Sequence, residues 1–116
     1  MVAAGPCHPP SGSRTHVDLG RRDAGAMRFG ISIPNIGDPG RAVEIAAAAD
    51  ASGWDGVFVW DHVHFMRDAA VEVHDPWLLL GAMAVRTRQI RLGALITPLS
   101  RRRPWRWAKE IVTLDH

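Results

Sequence analysis

The sequence contains a single cysteine, Cys7, so no disulfide can form within the chain. That usage is typical of a reducing compartment, and we expect a cytoplasmic protein. The sequence also lacks an apolar stretch that approaches the roughly 20 residues of a membrane-spanning helix. The best run, 77–85, is too short and contains Gly81. We expect no secretory signal either, because glycine and proline interrupt residues 5–10.

A large excess of charge of one sign is missing too, since the formal net charge is only +2 over 116 residues. Such a balance argues against a nucleic-acid-binding surface, which must neutralise many phosphates. The composition, 47% hydrophobic and 22% charged, is that of an ordinary globular protein, and the length leaves room for one domain. We therefore expect a small-molecule substrate, with no nucleic acid and no membrane as a partner.

The composition changes sharply at Met27. Residues 1–26 carry glycine, proline, serine, arginine and histidine without apolar periodicity, which predicts a disordered N-terminal extension. A strongly patterned segment follows, and we take 27–116 as the folded domain.

Strand and helix patterns alternate from Met27 onward. Three short apolar runs predict β-strands at 28–33, 56–60 and 90–96. The middle run is apolar without alternation, which is typical of a strand covered on both faces. Two helix starts are predicted where a capping aspartate, Asp38 or Asp75, precedes a proline. A third helix is predicted from Pro104, so the order βαβαβα indicates an α/β fold with a parallel sheet.

Polar side chains follow each predicted strand at the point where its apolar run ends. Asn35 follows the first strand, Asp61 and His62 follow the second, and Thr97 follows the third. In parallel α/β folds and barrels the functional residues lie at these carboxyl ends. Three such ends in register predict the rim of a pocket.

The pair Asp61 and His62 has the richest chemistry of the three ends. A histidine at a strand end can transfer a proton near neutral pH. Neighbouring residues of an extended chain point to opposite sides, so we expect the two side chains to face different partners. In the alternative interpretation, the Asp61 carboxylate simply accepts backbone N–H groups in the turn, and both interpretations stay open.

Two other kinds of site compete for these residues. His62 and His64 have the His-x-His spacing that metal-dependent barrel hydrolases use. In those enzymes the pair follows the first strand, whereas here it follows the second, and no further ligand is identifiable, so we predict no metal site. A dinucleotide site would need Gly-x-Gly-x-x-Gly after the first strand, where only Gly37 and Gly40 stand.

The arginine run 101–103, beside Trp105 and Trp107, could form a nucleic-acid patch. We favour an exposed loop that leads into a helix whose tryptophans pack on the sheet. A third interpretation turns the run toward the phosphates of a cofactor, which its position after the third strand permits.

Several segments together match one known family in their order and spacing. Residues 27–35, MRFGISIPN, look like its opening strand, 48–56 like its first helix and the next turn, and Trp60-Asp61-His62 like its acid–histidine pair. Later matching segments lie at 75–77, 86–93, 97–98, 103–105 and 113–116. Over about residues 27–116, the chain resembles the luciferase-like monooxygenases.

The resemblance implies a (β/α)8 TIM barrel, of which 27–116 would supply the N-terminal three βα units and leave it incomplete. It also implies a flavin- or deazaflavin-dependent oxidoreductase or monooxygenase, with the coenzyme at the carboxyl ends of the strands. That coenzyme would be a deazaflavin of the F420 type or reduced FMN. The Asp-His form of the pair, in place of Glu-His, favours the deazaflavin.

Site residues are implied by their positions in the family pattern. His62 matches a catalytic histidine placed for proton transfer, and Asp61 matches an acid at the coenzyme rim. A strand-end segment whose backbone supports the coenzyme ring, often through a non-proline cis peptide, is matched by Leu95, Ile96 and Thr97. The residues expected to line the substrate pocket are Asn35, His64 and Phe65.

The glycine-rich continuation of the family and about five further βα units are absent from the sequence. We therefore expect a fragment that binds the coenzyme weakly or not at all when alone, and that has little or no activity. It would act as a homo-oligomer or with a complementing chain. The alternative from another class is a non-catalytic fragment that acts only through a partner chain.

Overall fold

A computed structural model describes residues 27–65 and 71–116 of the chain. The predicted disordered extension, 1–26, lies outside the described residues. The strands are β1 (Gly30–Ile33), β2 (Gly56–Trp60) and β3 (Arg91–Leu95). The helices are α1 (Pro39–Ala51), α2 (Pro76–Ala84) and α3 (Pro104–Asp115), with a short 3-10 helix at Leu99–Arg101. None of these helices is long and apolar enough to cross a membrane.

The three strands form one parallel sheet in the order β1-β2-β3. Gly30 lies opposite Gly56, which lies opposite Arg91, so the three carboxyl ends reach the same edge of the sheet. Parallel neighbours need a crossover connection, which α1 supplies between β1 and β2, and α2 between β2 and β3. The predicted α/β class is confirmed, and parallel strands in sequential order with one helix between each pair are the arrangement expected of successive βα units in a (β/α)8 barrel.

Asp50, near the end of α1, determines where β3 begins. Its carboxylate accepts the backbone N–H groups of Arg88 at 2.7 Å, Gln89 at 3.1 Å and Ile90 at 2.9 Å, so the ladder starts only at Arg91. Burial acts to raise the pKa of Asp50. The three backbone hydrogen bonds and the charge of Arg88 outweigh it and hold that pKa below its usual value.

Both predicted aspartate caps are confirmed. Asp38 accepts the N–H of Gly40 at 2.9 Å, and Asp75 accepts the N–H groups of Trp77 at 2.8 Å and Leu78 at 3.1 Å. A proline follows each cap at the start of the helix, where its missing N–H leaves no helix hydrogen bond unmade.

The described helices cover only one face of the sheet. The buried side chains on that face include Ile33, Ala46, Val57, Val59, Leu80 and Met83. On the opposite face Phe58 is 36% exposed, so the expectation that β2 is covered on both faces is not met by the described elements. The Phe58 ring packs over Gly30 and Gly56, where a Cβ atom would approach it to 2.8 and 2.9 Å, so a larger residue at either position would have to displace the ring.

Candidate functional site

The carboxyl ends of β2 and β3 enclose a cleft of about 700 Å3, which we call the β2–β3 cleft. Its described lining residues are Trp60, Asp61, His62, Val63, His64, Leu95, Ile96, Pro98 and Arg101. The structure thus brings five of the predicted site residues to one cleft, namely Asp61, His62, His64, Leu95 and Ile96. The other three, Asn35, Phe65 and Thr97, lie beside lining residues but outside this set.

Asn35 follows β1 and holds the backbone of His62. Its Nδ2 donates to the carbonyl oxygens of His62 and His74, both at 2.7 Å, and its Oδ1 accepts the N–H of His62 at 3.2 Å. The residue is fully buried. Asn35 therefore does not reach the cleft as a substrate contact, because its amide is committed to backbone groups that would otherwise be buried without partners.

The imidazole of His62 packs against two aromatic rings. Its centroid lies 5.4 Å from that of Trp60, edge to face, and 5.6 Å from that of Phe65. Trp60 is itself fixed by a hydrogen bond of 2.6 Å from its Nε1 to Ser32 Oγ on β1. Within the described ranges no hydrogen bond reaches the ring nitrogens of His62, so among these residues the ring is oriented by packing.

Asp61 points away from His62, as predicted, and meets two arginines. Its Oδ1 accepts from Arg101 Nη2 at 3.1 Å, and its Oδ2 accepts from Arg102 Nη2 at 3.0 Å and Nε at 3.3 Å. The Asp61 side chain is only 4% exposed. Arginine side chains, and not the turn's N–H groups, thus satisfy the carboxylate. The carboxylate thus has little free surface left for direct contact with a coenzyme.

Arg102 ties the end of β2 to two helices. Besides Asp61, its guanidinium reaches Asp75 at the start of α2 at 3.8 Å and Glu110 in α3 at 3.7 Å. Its Cζ also lies 5.8 Å from the centroid of the Trp77 ring. With 16% of its side chain exposed, Arg102 is a structural cross-link and not a solvent-facing residue of the loop.

The sequence did not single out Arg101 and Arg102, because the run 101–103 was interpreted as an exposed loop. The sequence nevertheless contained an indication that these two arginines belong to the site. A carboxylate that directly follows a buried strand needs cationic partners, and the run stands after the neighbouring strand at the same edge of the sheet.

The chain takes an unusual backbone conformation directly after β3. Ile96 has φ 69°, in the left-handed region, and ends the strand. For a β-branched residue this conformation is a true outlier, with a cost of about 1–2 kcal/mol. The expected cis peptide is not found among the described residues. The backbone irregularity therefore lies where a coenzyme support was predicted, but it is of a different kind.

His64 is exposed and shares the cleft with His62. The described residues contain no group of three or more His, Cys, Asp or Glu side chains placed to hold a metal ion. Asp61, the acid next to this histidine pair, is already paired with arginines. The geometry therefore gives no support to the metal-dependent hydrolase alternative.

Comparison with known proteins identifies relatives of this chain. The sequence profile described as luciferase-like monooxygenase matches residues 20–116. A curated relative, the F420-dependent glucose-6-phosphate dehydrogenase of Nakamurella multipartita, is 34% identical over 99 residues. That match covers 76% of this chain and 26% of the relative.

Two solved structures resemble the fold. The coenzyme F420 dependent tetrahydromethanopterin reductase of Methanopyrus kandleri superposes with a TM-score of 0.65 at 27% identity, over 76% of this chain and 23% of the reductase. An F420-dependent secondary alcohol dehydrogenase in complex with an F420-acetone adduct gives a TM-score of 0.67 at 28% identity, over 75% of this chain and 27% of that enzyme. The chain thus spans about a quarter of the length of each of these relatives.

Proposed function

Because the chain belongs to the luciferase-like monooxygenase family, we propose that it forms part of the coenzyme and substrate site of a deazaflavin-dependent oxidoreductase. The observation that carries the proposal is the position of His62 in the β2–β3 cleft, with its backbone N–H and C=O both fixed by Asn35. A histidine held in this way can keep or transfer a proton at a ring nitrogen that faces a substrate.

The proposed coenzyme is a deazaflavin of the F420 type. The curated relative and both solved structures are described as F420-dependent, which supports this choice. The Asp-His form of the strand-end pair points the same way. Reduced FMN, the other coenzyme expected from the sequence, is the alternative.

The cleft residues fit a flat and largely apolar ring system. Trp60 contributes one aromatic wall, and Leu95 and Ile96 present side chains that are 47% and 77% exposed and so are free to be covered by a ligand. Apolar walls with a few placed polar groups are typical of coenzyme sites. A bound reduced deazaflavin would supply a hydride to the substrate.

Each described residue has a distinct part in the proposal. Leu95, Ile96 and the adjacent Thr97 would hold the coenzyme, while His62 would manage a proton on the substrate. His64 and Phe65 would face a small-molecule substrate. Asp61 would contribute indirectly, because its carboxylate holds Arg101 and Arg102 in place.

We also propose that further polypeptide completes this site, either a complementing chain or a second copy. Phe58, exposed on the open face of the sheet, and the outer edge of β3, which pairs with no other described strand, support this. The chain alone would then have little or no activity.

The proposal is tested by recording amide NMR spectra of the whole chain while F420, and in a second series FMN, is added to millimolar concentration. We expect the resonances of Ile96 and Thr97 to move on addition of F420, and to move less on addition of FMN. The imidazole resonances of His62 should move with them, whereas those of His74, whose ring nitrogen bonds the Gly37 carbonyl, should stay in place.

A matched variant pair separates binding in the cleft from binding elsewhere. Ile96→Asp puts a charge on the proposed apolar wall and should abolish the F420 shifts. Lys109→Gln, on α3 and outside the cleft, should leave them unchanged. A folded chain whose spectrum responds to neither coenzyme would sink the assignment of coenzyme binding to this chain's own residues.

A further inference from the structure

The two arginines that share Asp61 differ in how their charges are balanced. Arg102 has three carboxylates within 4 Å, on Asp61, Asp75 and Glu110. Arg101 has only Asp61 within that distance among the described residues. Asp75 and Glu110 also compensate the charge of Arg102, whereas Arg101 shares its one carboxylate, so the charge of Arg101 is the less compensated of the two.

Arg101 is also held in place through only one of its nitrogen atoms. A single nitrogen, Nη2, donates to both the backbone oxygen of Asp61 at 2.6 Å and its Oδ1 at 3.1 Å. Its Nε and Nη1 make no hydrogen bond within the described part of the chain. The side chain is 38% exposed. A guanidinium held at one corner, with its other donors open, is arranged to receive an oxyanion through two parallel hydrogen bonds.

Arg101 borders two depressions, and their charges differ. The first also contains Asp75, whose carboxylate is 46% exposed and would repel an anion. The second is the β2–β3 cleft, where the single described carboxylate, that of Asp61, is 4% exposed and already paired. The remaining titratable groups that line this cleft are His62 and His64, which add positive charge when protonated.

We propose that the β2–β3 cleft selects a substrate that carries an oxyanion, a carboxylate or a phosphate, on an apolar body, with Arg101 as the recognising cation. The inference rests on the proposed function, since it names the substrate class of the same site. The apolar body would lie against Trp60, Leu95 and Pro98. Asp61 is then a positioning residue that holds Arg101 at the cleft.

The test uses the whole chain with benzoate as the probe and benzamide as its neutral match, each followed by NMR. We expect benzoate to bind at least about tenfold more tightly than benzamide, and to move the side-chain Nε resonance of Arg101. Added salt should shrink the difference, because it screens the charge on a partly exposed side chain. Equal binding of the two probes overturns the proposal.

Three variants assign the effect to one side chain. Arg101→Gln should remove the preference for benzoate, and Arg101→Lys should keep part of it. Arg103→Gln changes the net charge equally at an exposed position outside the cleft, and it should keep all of it. If Arg103→Gln weakens benzoate binding as much as Arg101→Gln does, the preference comes from overall charge and the proposal fails. If Arg101→Gln does not fold, the wild-type protein provides the test: the Nε resonance of Arg101 must move when benzoate is added, and an unmoved resonance overturns the proposal.

Deazaflavin titrations of the same proteins distinguish this inference from the proposed function. If F420 binds at Ile96 while benzoate shows no preference, the substrate class is wrong and the coenzyme assignment stands. If benzoate binding depends on Arg101 and F420 does not bind, the oxyanion site stands and the coenzyme is wrong. If Arg101→Gln weakens F420 binding alone, Arg101 recognises the coenzyme, which overturns its assignment to the substrate.

Discussion

Asn35 donates a hydrogen bond of 2.7 Å to the carbonyl oxygen of His62 and accepts one of 3.2 Å from the N–H of the same residue. One buried side chain at the end of β1 thus satisfies both backbone polar groups of the residue that follows Asp61 after β2. Among the described residues, the ring of His62 is held only by packing. Asn35 therefore positions His62 through its backbone and makes no hydrogen bond to its imidazole.

Replacement of Asn35 by aspartate should destabilise the protein strongly. Asn35→Asp keeps the shape of the side chain but turns an oxygen toward the carbonyls of His62 and His74. We expect the free energy of unfolding in urea to fall by about 2–4 kcal/mol, because two acceptors lose their donor and a charge is buried. The imidazole resonances of His62 should also shift.

Thr87→Val is the matched control for Asn35→Asp. It removes the hydrogen bond from Thr87 Oγ1 to the Met83 carbonyl, far from the cleft, and should cost about 1 kcal/mol. The resonances of His62 should not move. If both variants left these resonances in place, Asn35 would stabilise the fold without positioning the histidine.

Asp61→Asn should loosen the contact between β2 and the loop before α3. The variant removes the charge that both arginines share, and we expect a loss of about 2–3 kcal/mol in the free energy of unfolding. Glu110→Gln removes a more exposed carboxylate at 3.7 Å from Arg102 and should cost less than about 1 kcal/mol. Urea unfolding of both variants checks the order, and a larger loss for Glu110→Gln would contradict the view of Asp61 as the main partner.

Asp50 should make stability depend on pH in the acid range. Its pKa in the folded chain lies below the unfolded value of about 3.9, so its contribution is complete above that value. The contribution is lost as the pH falls through the folded pKa, because the carboxyl must then be protonated. We expect the melting temperature to fall less for Asp50→Asn than for the wild type as the pH is lowered from about 6 to about 2. Parallel declines would refute this role.

Ile96 should be replaceable by glycine with a gain in stability and a loss in binding. Ile96→Gly relieves a left-handed backbone cost of about 1–2 kcal/mol and loses little burial, because the side chain is 77% exposed. The unfolded chain becomes freer and offsets part of this gain, so we expect a net gain of up to about 1 kcal/mol. Ile96→Ala keeps the backbone cost and should show no gain. Both should weaken the response to F420, since each removes the proposed apolar wall. If Ile96→Gly were no more stable than Ile96→Ala, the left-handed conformation would carry no cost that glycine relieves.

The parts of the fold that depend on nearby residues could be predicted from the sequence. The caps at Asp38 and Asp75 act on N–H groups two or three residues further along, and a short pattern contains all the information needed. The strands were predicted for the same reason, because a run of apolar residues reports the burial of its own segment. The common edge of their carboxyl ends then follows from the parallel sheet.

The partners inside the site could not be predicted, because they lie far apart in the sequence. Asn35 and His62 are 27 positions apart, and Asp61 and Arg102 are 41 apart. A polar residue after a strand gives the same sequence pattern whether it lines a substrate pocket, as expected for Asn35, or enters a buried network, as observed. Ile96 was hidden for another reason, since its left-handed conformation opposes the local preference of its residue type.

The cross-link through Arg102 also limits how pieces of such proteins can be exchanged. Asp61 and Asp75 belong to the second βα unit, whereas Arg102 and Glu110 belong to the third. A chimera joined between residues 75 and 101 would place a buried carboxylate from one parent against a loop from the other. Such hybrids should fold stably only when the parent that supplies the third unit also has arginines at positions 101 and 102. A junction before β2 avoids this requirement, because Asp61 and its arginine partners then come from the same parent.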